Sequence, residues 1–512
     1  MPHTLSENLE RLDDNSAEIL LLTSNIADAI TAKGGTVTAN TGLRGMAAAV
    51  ETIPTGGDSH FASNLTVTTE PGAVVTATRI SIQLNVKAEN GAPITITDGF
   101  TTLTGTGTGD WQIFWLPNTE TWTVTSEVSG VIVSTTIDVE NANIHSVDVS
   151  KTPGIFGVYW TGGSETTFTR TDDAVNFDNP DPYVNDGNHP GYSPFDNIWP
   201  WSGMRIVEKD GNSLVEIPKY WYKITRDGSS MKFQITNYET DGFKVSPAHQ
   251  DRGDGVGERD FVYIGRYHCV DDTVPTDQWK SKSGILPQVS KTIGEFRDAI
   301  MNLGSGYYMN DFALFWTTRI LYLVEFANWN SQITIGYGGG NSSTIYTMGY
   351  TDSMPYHTGT IASSRTTFDA KTQYRYIEGL WDNVFDWCDG IYFSGSTVYI
   401  HTNLLNYGSY TSGVSVGTRP TDWDEIKSFF IPSVSDLDWA MYTNTKVTDT
   451  SYSSYISDYC GYGSNGVTLA IGGWYNGKAG QYGMFFLDGS YRANESPVNR
   501  GSRLMYLPPN NS

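Results

Sequence analysis

From residue 61 to the end, the chain is broken every few residues by turn-forming residues, and this constrains its fold more than any other feature. Runs such as LTVTTE, AVVTAT, ISIQLNV, WQIFWLP, TWTVTSEV and VIVSTTIDV are short, rich in Val, Ile and Thr, and often alternate. Gly, Asn, Asp and Pro separate them, which is the pattern of strands joined by turns. Residues 60–150 therefore read as an all-β, Ig-like sandwich in architecture, and nothing in them suggests chemistry. Residues 151–512 continue with strand-like runs (IFGVYW, VEIPKYWYKI, FVYIGRYH) between long Gly, Asn and Asp loops. Two stretches carry helical spacing: 291–303, through Ile293, Phe296, Ile300 and Leu303, and 318–330, TRILYLVEFANWN. Few helices among many loops predict a C-terminal α+β unit.

The first 54 residues differ. Leu5, Leu12, Ile19 and Ile26 alternate with Leu9, Ser16, Thr23 and Ile30 at steps of four and three, a heptad seam that suits a partner helix. Gly34-Gly35 stops it, and a second short pattern, Leu43, Met46, Val50 and Ile53, ends at Pro54. A helical region over 1–54 that self-associates, as a trimer ahead of a dimer, is the expectation; Thr55 to Ser59 read as a linker. The expected fold class is thus multidomain: an N-terminal α-helical coiled coil, an Ig-like β-sandwich and a C-terminal α+β unit.

Composition narrows the partners. Of 512 residues, 56 are acidic and 32 basic, for a net charge of −24. Such a surface repels a phosphate backbone, so nucleic acid is excluded as the expected partner. Three cysteines, Cys269, Cys388 and Cys460, cannot build a disulfide framework and suit a reducing compartment. No secretory signal pattern and no apolar run of membrane-spanning length stands in the sequence, so no membrane insertion is expected.

Catalytic and metal motifs are weak. His268-Cys269-Val270-Asp271-Asp272 gathers ligand types without the second pair that zinc needs. Two acidic loops could supply calcium oxygens: Asp172, Asp173, Asp178, Asp181 and Asp186, and Asp251, Asp254, Glu258 and Asp260. Neither has EF-hand spacing, so no cofactor is expected. GYGGGN (336–341) lacks a following Lys-Ser/Thr, and no Gly-x-Ser-x-Gly elbow occurs. Arg252-Gly253-Asp254 reads as a tight polar turn.

Binding has the stronger signal. Between 472 and 499, glycines alternate with Trp474, Tyr475, Asn476, Lys478, Gln481, Tyr482, Asp488, Tyr491, Arg492, Asn494 and Glu495. Tyr and Trp offer large contact area at low entropic cost, and Asn and Gly adapt hydrogen bonds, so the stretch is composed like a paratope. Gly472, Gly473, Gly477, Gly480 and Gly483, with Phe485 and Leu487, are read as its scaffold. The Tyr-rich stretch 450–466 is a candidate for the same surface.

GLWDNVFDWCDG (379–390) resembles the Gly-Asn-Val-Trp-Glu-Trp motif of formylglycine-generating-enzyme-like domains, a branch of the C-type lectin fold, with Asn383, Val384 and Trp387 matching. SPVNRGSRLMYLPP (496–509) looks like the Gly-x-Arg closing strand of that fold, here Gly501-Ser502-Arg503. The enzymes of the family carry cysteines around that strand and this chain does not, so the resemblance implies the fold without the oxidase. The stretch 470–496 is similar to the ligand-facing end of phage receptor-binding proteins, many of them diversified by retroelements, and most of 151–512 resembles prophage tail proteins. The resemblance implies a non-enzymatic phage tail fibre or tip protein. It would attach to the tail by its N-terminus, be made in a bacterial cytoplasm, and present a C-type-lectin-like domain (151–512) to a glycan or protein receptor on a bacterial surface. A tail-borne polysaccharide depolymerase and a purely structural tail component stay open as alternatives.

Overall fold

The computed structural model describes residues 81–509, apart from 99–100, 118–120, 129–130, 139–143, 150–153, 164, 273–276, 339–343, 368–369, 421, 447–455, 457 and 477–480. The chain clusters into two compact units, one of 1–86, 111–121 and 138–147, the other of 87–110, 122–137 and 148–512. Within the 60–150 segment seven short strands are described, assigned to a three-stranded and a four-stranded sheet. Alternation is clean in Pro93–Thr97, where Ile94 and Ile96 are buried and their neighbours are not.

The described residues are built mainly of strands. Three α-helices accompany them: α1 (Ile293–Met301), α2 (Phe312–Phe326) and α3 (Ser331–Thr334). This corrects the expected architecture of a helical region joined to a sandwich and an α+β C-type-lectin-like unit. The helical region expected over 1–54 lies outside the described residues, and three helices among so many strands do not make an α+β layer. Helical spacing at two places marked two helices correctly as local elements, but the segments before and after them are mainly paired strands.

Helix α1 starts where its sequence provides a capping box. The Thr292 hydroxyl accepts from the Glu295 amide at 3.1 Å, and the Glu295 carboxylate accepts from the Thr292 amide at 2.9 Å. Ile293, Phe296 and Ile300 are buried, as their spacing required. Helix α2 begins six residues before the expected start, because Asp311 caps it by accepting from the Leu314 amide at 2.8 Å. It ends at Phe326, where Ala327 turns left-handed at φ 50°. All fifteen of its residues are buried, so no polar face marks its period. Its glutamate is paired inside: Glu325 meets Arg375 at 2.5 Å and also accepts from Ser193 at 2.7 Å and Tyr374 at 3.0 Å.

A seven-stranded sheet positions the candidate surface. Its strand order is Tyr442–Lys446, Asp422–Phe430, Tyr459–Tyr462, Leu487–Asp488, Leu469–Gly472, Phe385–Cys388 and Arg500–Ser502. The registers pair Trp423 with Gly461, Gly461 with Asp488, Asp488 with Ala470, and Ala470 with Trp387. Because successive side chains point to opposite faces, these registers sort the sheet into two sides. The inner side carries Ile426, Cys460, Tyr462, Leu487, Leu469, Ile471 and Cys388, all in the main hydrophobic core with α2. The outer side carries Trp423, Glu425, Tyr459, Phe486, Phe385, Trp387 and Arg500.

Candidate ligand-binding surface

The outer side of this sheet holds a run of nearly parallel aromatic rings. Trp423 stacks on Phe486 with centroids 6.0 Å apart, Phe486 on Phe385 at 5.2 Å, and Phe385 on Trp474 at 6.3 Å. Their interplanar angles are 29°, 28° and 21°. A glycine on the neighbouring strand makes room for the end ring. A β-carbon on Gly461 would sit 2.4, 2.4 and 2.6 Å from Cδ2, Cε2 and Cε3 of Trp423. Those three near-equal distances place the indole flat over the Gly461 backbone. Its other face is open, and Trp423 is 48 % exposed.

Loop residues complete the surface. Tyr482 leans on Phe486 at 4.8 Å and on Phe385 at 5.6 Å, and Tyr475 meets Trp474 at 5.5 Å. The Tyr475 amide donates to the Asn383 carbonyl at 2.9 Å, which ties this loop to the 379–390 motif. A polar chain runs beside Trp423. Tyr459 faces Glu425 in the strand register, and the Tyr459 amide donates to the Gln481 carbonyl at 3.0 Å. Partial burial and the neighbouring Asp424 charge push the Glu425 carboxyl above its ordinary value, against the pull of Tyr459.

The sequence-predicted residues divide accordingly. Trp474, Tyr475, Gln481 and Tyr482 are half-buried and belong to the ring surface, and Asn476 is exposed beside them. Arg492, Asn494 and Glu495 form an exposed turn in which the Glu495 carboxylate accepts from the Arg492 amide at 2.8 Å. Lys478 lies outside the described residues. Asp488 is not a surface residue: its side chain is 0 % exposed and ion-pairs with Arg500, itself 2 % exposed. The Arg500 guanidinium lies between the Phe385 ring at 4.0 Å and the Tyr491 ring at 4.5 Å. Tyr491 also meets Trp387 edge-on at 6.1 Å, so it is half scaffold. Burial raises the Asp488 carboxyl even against the Arg500 charge. The sequence reading missed Trp423 and Glu425, which the register across to Gly461 and Tyr459 brings to this side. Of the 450–466 stretch, Tyr459 reaches this surface, whereas Cys460 and Tyr462 point into the core.

The 379–390 motif and the closing strand meet underneath. Arg503 approaches Asp386 at 3.3 Å and donates to the Gly265, Arg266 and Glu378 carbonyls at 2.9, 2.9 and 2.8 Å. His268 sits 2.8 Å from Asp386. Burial would raise the Asp386 carboxyl, but the His268 and Arg503 charges and hydrogen bonds outweigh it and hold it below its ordinary value. Asn383, at φ 67°, accepts from the Tyr346 amide at 2.8 Å and donates to its carbonyl at 2.9 Å. These groups are buried and tie four chain segments together.

The metal candidates are dispersed. Among the described residues no group of three or more His, Cys, Asp or Glu is placed to hold an ion. Asp172 pairs with Lys232 at 3.0 Å, Asp181 with Arg365 at 2.6 Å, Asp254 with Arg259 at 2.5 Å and Asp260 with Lys219 at 2.8 Å. Arg252 of the Arg-Gly-Asp turn is buried and held by Asp311 at 2.5 Å and the Tyr407 hydroxyl at 2.6 Å. Cys269, Cys388 and Cys460 are buried and form no disulfide with one another, and burial pushes the Cys269 and Cys388 thiols far up.

No family model and no curated protein matches this chain. Among solved structures it is similar to one described as "Major Tropism Determinant U1 Variant", at 10% sequence identity and a TM-score of 0.23. The match covers 75% of this chain and 80% of that one. At that score, fold and site here rest on the chain's own geometry. No helix among the described residues is long and apolar enough to cross a membrane.

Proposed function

We propose that this chain is a phage tail receptor-binding protein that adsorbs to a bacterial cell surface through the outer face of its seven-stranded sheet. The role is binding without catalysis or cofactor. One observation carries it: a rigid stack of four aromatic rings whose ends, Trp423 and Trp474, open to solvent beside adaptable polar groups. Large aromatic anchors ringed by polar side chains are the anatomy of binding hot spots. The resemblance of 379–390, 470–496 and 496–509 to phage receptor-binding proteins supports the tail assignment, and the virion would carry the protein out of the cell at lysis. Diversification by a retroelement belongs to the same proposal. Exposure leaves Asn476, Arg492, Asn494 and Glu495 free to vary, whereas the buried Asp488 is not. A near-identical template repeat beside the gene, with a reverse transcriptase, is the observation that proposal requires.

The test is binding of labelled full-length protein to a panel of intact bacterial strains, beside a Trp474→Ala, Tyr475→Ala variant matched in near-UV circular dichroism. Strain-selective binding is expected, weakened about tenfold or more in the variant, the scale of losing hot-spot aromatics. Selective binding that the variant retains in full would move the contact elsewhere on the protein.

A further inference from the structure

The proposed binding surface has two unlike ends, and the end at Trp423 is specific enough in its chemistry to name a ligand class. The indole lies flat on the Gly461 backbone and against Phe486, so its orientation is fixed before any ligand arrives. Its open face is a planar apolar platform, and Trp423 is 48 % exposed although every ring beneath it is packed. Glu425 stands two residues along the same strand, on the same side, roughly 7 Å away by strand geometry. Tyr459 faces Glu425 across the strand pair, and its amide donates to the Gln481 carbonyl at 3.0 Å, which holds Gln481 beside it. A carboxylate, a phenol and a carboxamide thus form a half-exposed hydrogen-bonding edge next to a stacking plane.

We infer that this end is a sugar subsite: one pyranose ring of a neutral or amino-bearing bacterial surface polysaccharide stacks on Trp423 while Glu425, Tyr459 and Gln481 bond its hydroxyl or amino groups. The inference rests on the receptor-binding reading and adds the ligand's class to it. The platform takes the apolar face of the ring, and the polar edge takes groups in the ring plane, which a purely apolar ligand would leave unpaired at a cost. Charge selects against the anionic alternative. Glu425 borders the platform, and the chain carries −24 overall, so a phosphorylated or uronic polymer is repelled. Fixing the indole in advance also removes ordering entropy from the binding step.

The test uses the full chain and polysaccharide extracted from strains that bind it, with intact cells treated by periodate or by protease in parallel. Periodate, which cleaves sugar vicinal diols, should abolish cell binding, and protease should leave it. Trp423→Ala should weaken polysaccharide binding about tenfold or more, and Trp423→Phe, which keeps a planar ring, should stay within about threefold. Glu425→Gln, which keeps the shape and one acceptor, separates a hydrogen-bonding edge from a merely electrostatic one: a neutral sugar tolerates it within a few-fold. Cell binding that is lost to protease and survives periodate would overturn the sugar subsite and leave the receptor-binding reading standing. Polysaccharide binding unchanged in Trp423→Ala would overturn the placement at Trp423. A protein that binds no strain and no extract would overturn both readings together.

Discussion

The two faces of the seven-stranded sheet solve the same problem with different coverings. The inner face, with Leu469, Ile471, Leu487 and Cys460, is closed by α2, whose Trp316 packs on Phe429 at 5.2 Å and on Phe485 at 6.3 Å. The outer face is closed at its Trp387 side, where the indole donates to the Lys291 carbonyl at 3.1 Å beside α1. Toward Trp423, among the described residues, loop residues such as Trp474 and Tyr482 cover it. A regular element buries a face permanently; short loops bury it partly and leave ring surface for a ligand. Each face also holds a buried aspartate, and the pair shows how differently the two environments treat charge. Asp488, outside, is neutralised by Arg500. Asp458, inside, accepts from the Phe485 amide at 2.8 Å and from Gln332 at 3.1 Å, donors without charge.

The largest effect should come from breaking the outer pair. Asp488→Ala leaves Arg500 buried between two rings with no carboxylate, and its Nε already lacks a partner. A loss of about 3–5 kcal/mol is expected, read from denaturant unfolding. Replacing both partners, Asp488→Leu with Arg500→Met, should recover most of it, because the cost lies in the orphaned charge and not in the absent bond. A double variant as unstable as Asp488→Ala would mean that the pair itself organises the outer face.

The inner aspartate predicts a pH dependence instead. Burial pushes Asp458 up to about 7, against the pull of Phe485, Gln332, the more distant Arg319 charge and Gly483. A carboxyl whose folded value exceeds its unfolded one, about 3.9, binds more protons when folded. It contributes stability fully at low pH and loses that contribution as pH rises through about 7. Denaturation midpoints should therefore fall between about pH 4 and pH 7, and Asp458→Asn should flatten that slope. An unchanged slope in the variant would assign it to another group, Glu378 first, which burial also raises to about 7.

Much of this was readable in advance, and the failures have physical causes. Alternation and turn residues gave the strands, the Thr292–Glu295 box fits the α1 start, and the glycine-aromatic composition of 472–499 led to the ring surface. Asp488 was misread because a charged residue between Leu487 and Gly489 looks exposed, and its partner Arg500 comes from a strand reached only by the fold. Helix α2 was started late because a helix apolar all round has no period to read. Trp423 was missed because its strand alternates charged and apolar residues on both faces, so only the register across to Gly461 shows which side is open. The fold class failed for a similar reason. Two helices are conspicuous in the sequence, whereas the many short strands that outnumber them pair over long separations.

That register offers the gentlest way to separate the two faces. Gly461→Ala adds one methyl group under the Trp423 indole, on the outer side only. The contact is far closer than van der Waals, so the indole must lift or tilt. Overpacking of this kind costs about 1–3 kcal/mol, and less where the neighbour is free to move, as a half-exposed ring is. The expected stability change is therefore at the low end of that range. The ring's exposed plane, however, should be displaced, so binding should fall more than stability does. Tryptophan fluorescence would report the displaced indole, and binding to the selected strains its consequence. A variant that binds normally with a displaced indole would show that the outer face works through Trp474 alone. Inner-face packing predicts the opposite coupling, since a methyl group added against α2 has nowhere to go and would cost stability first.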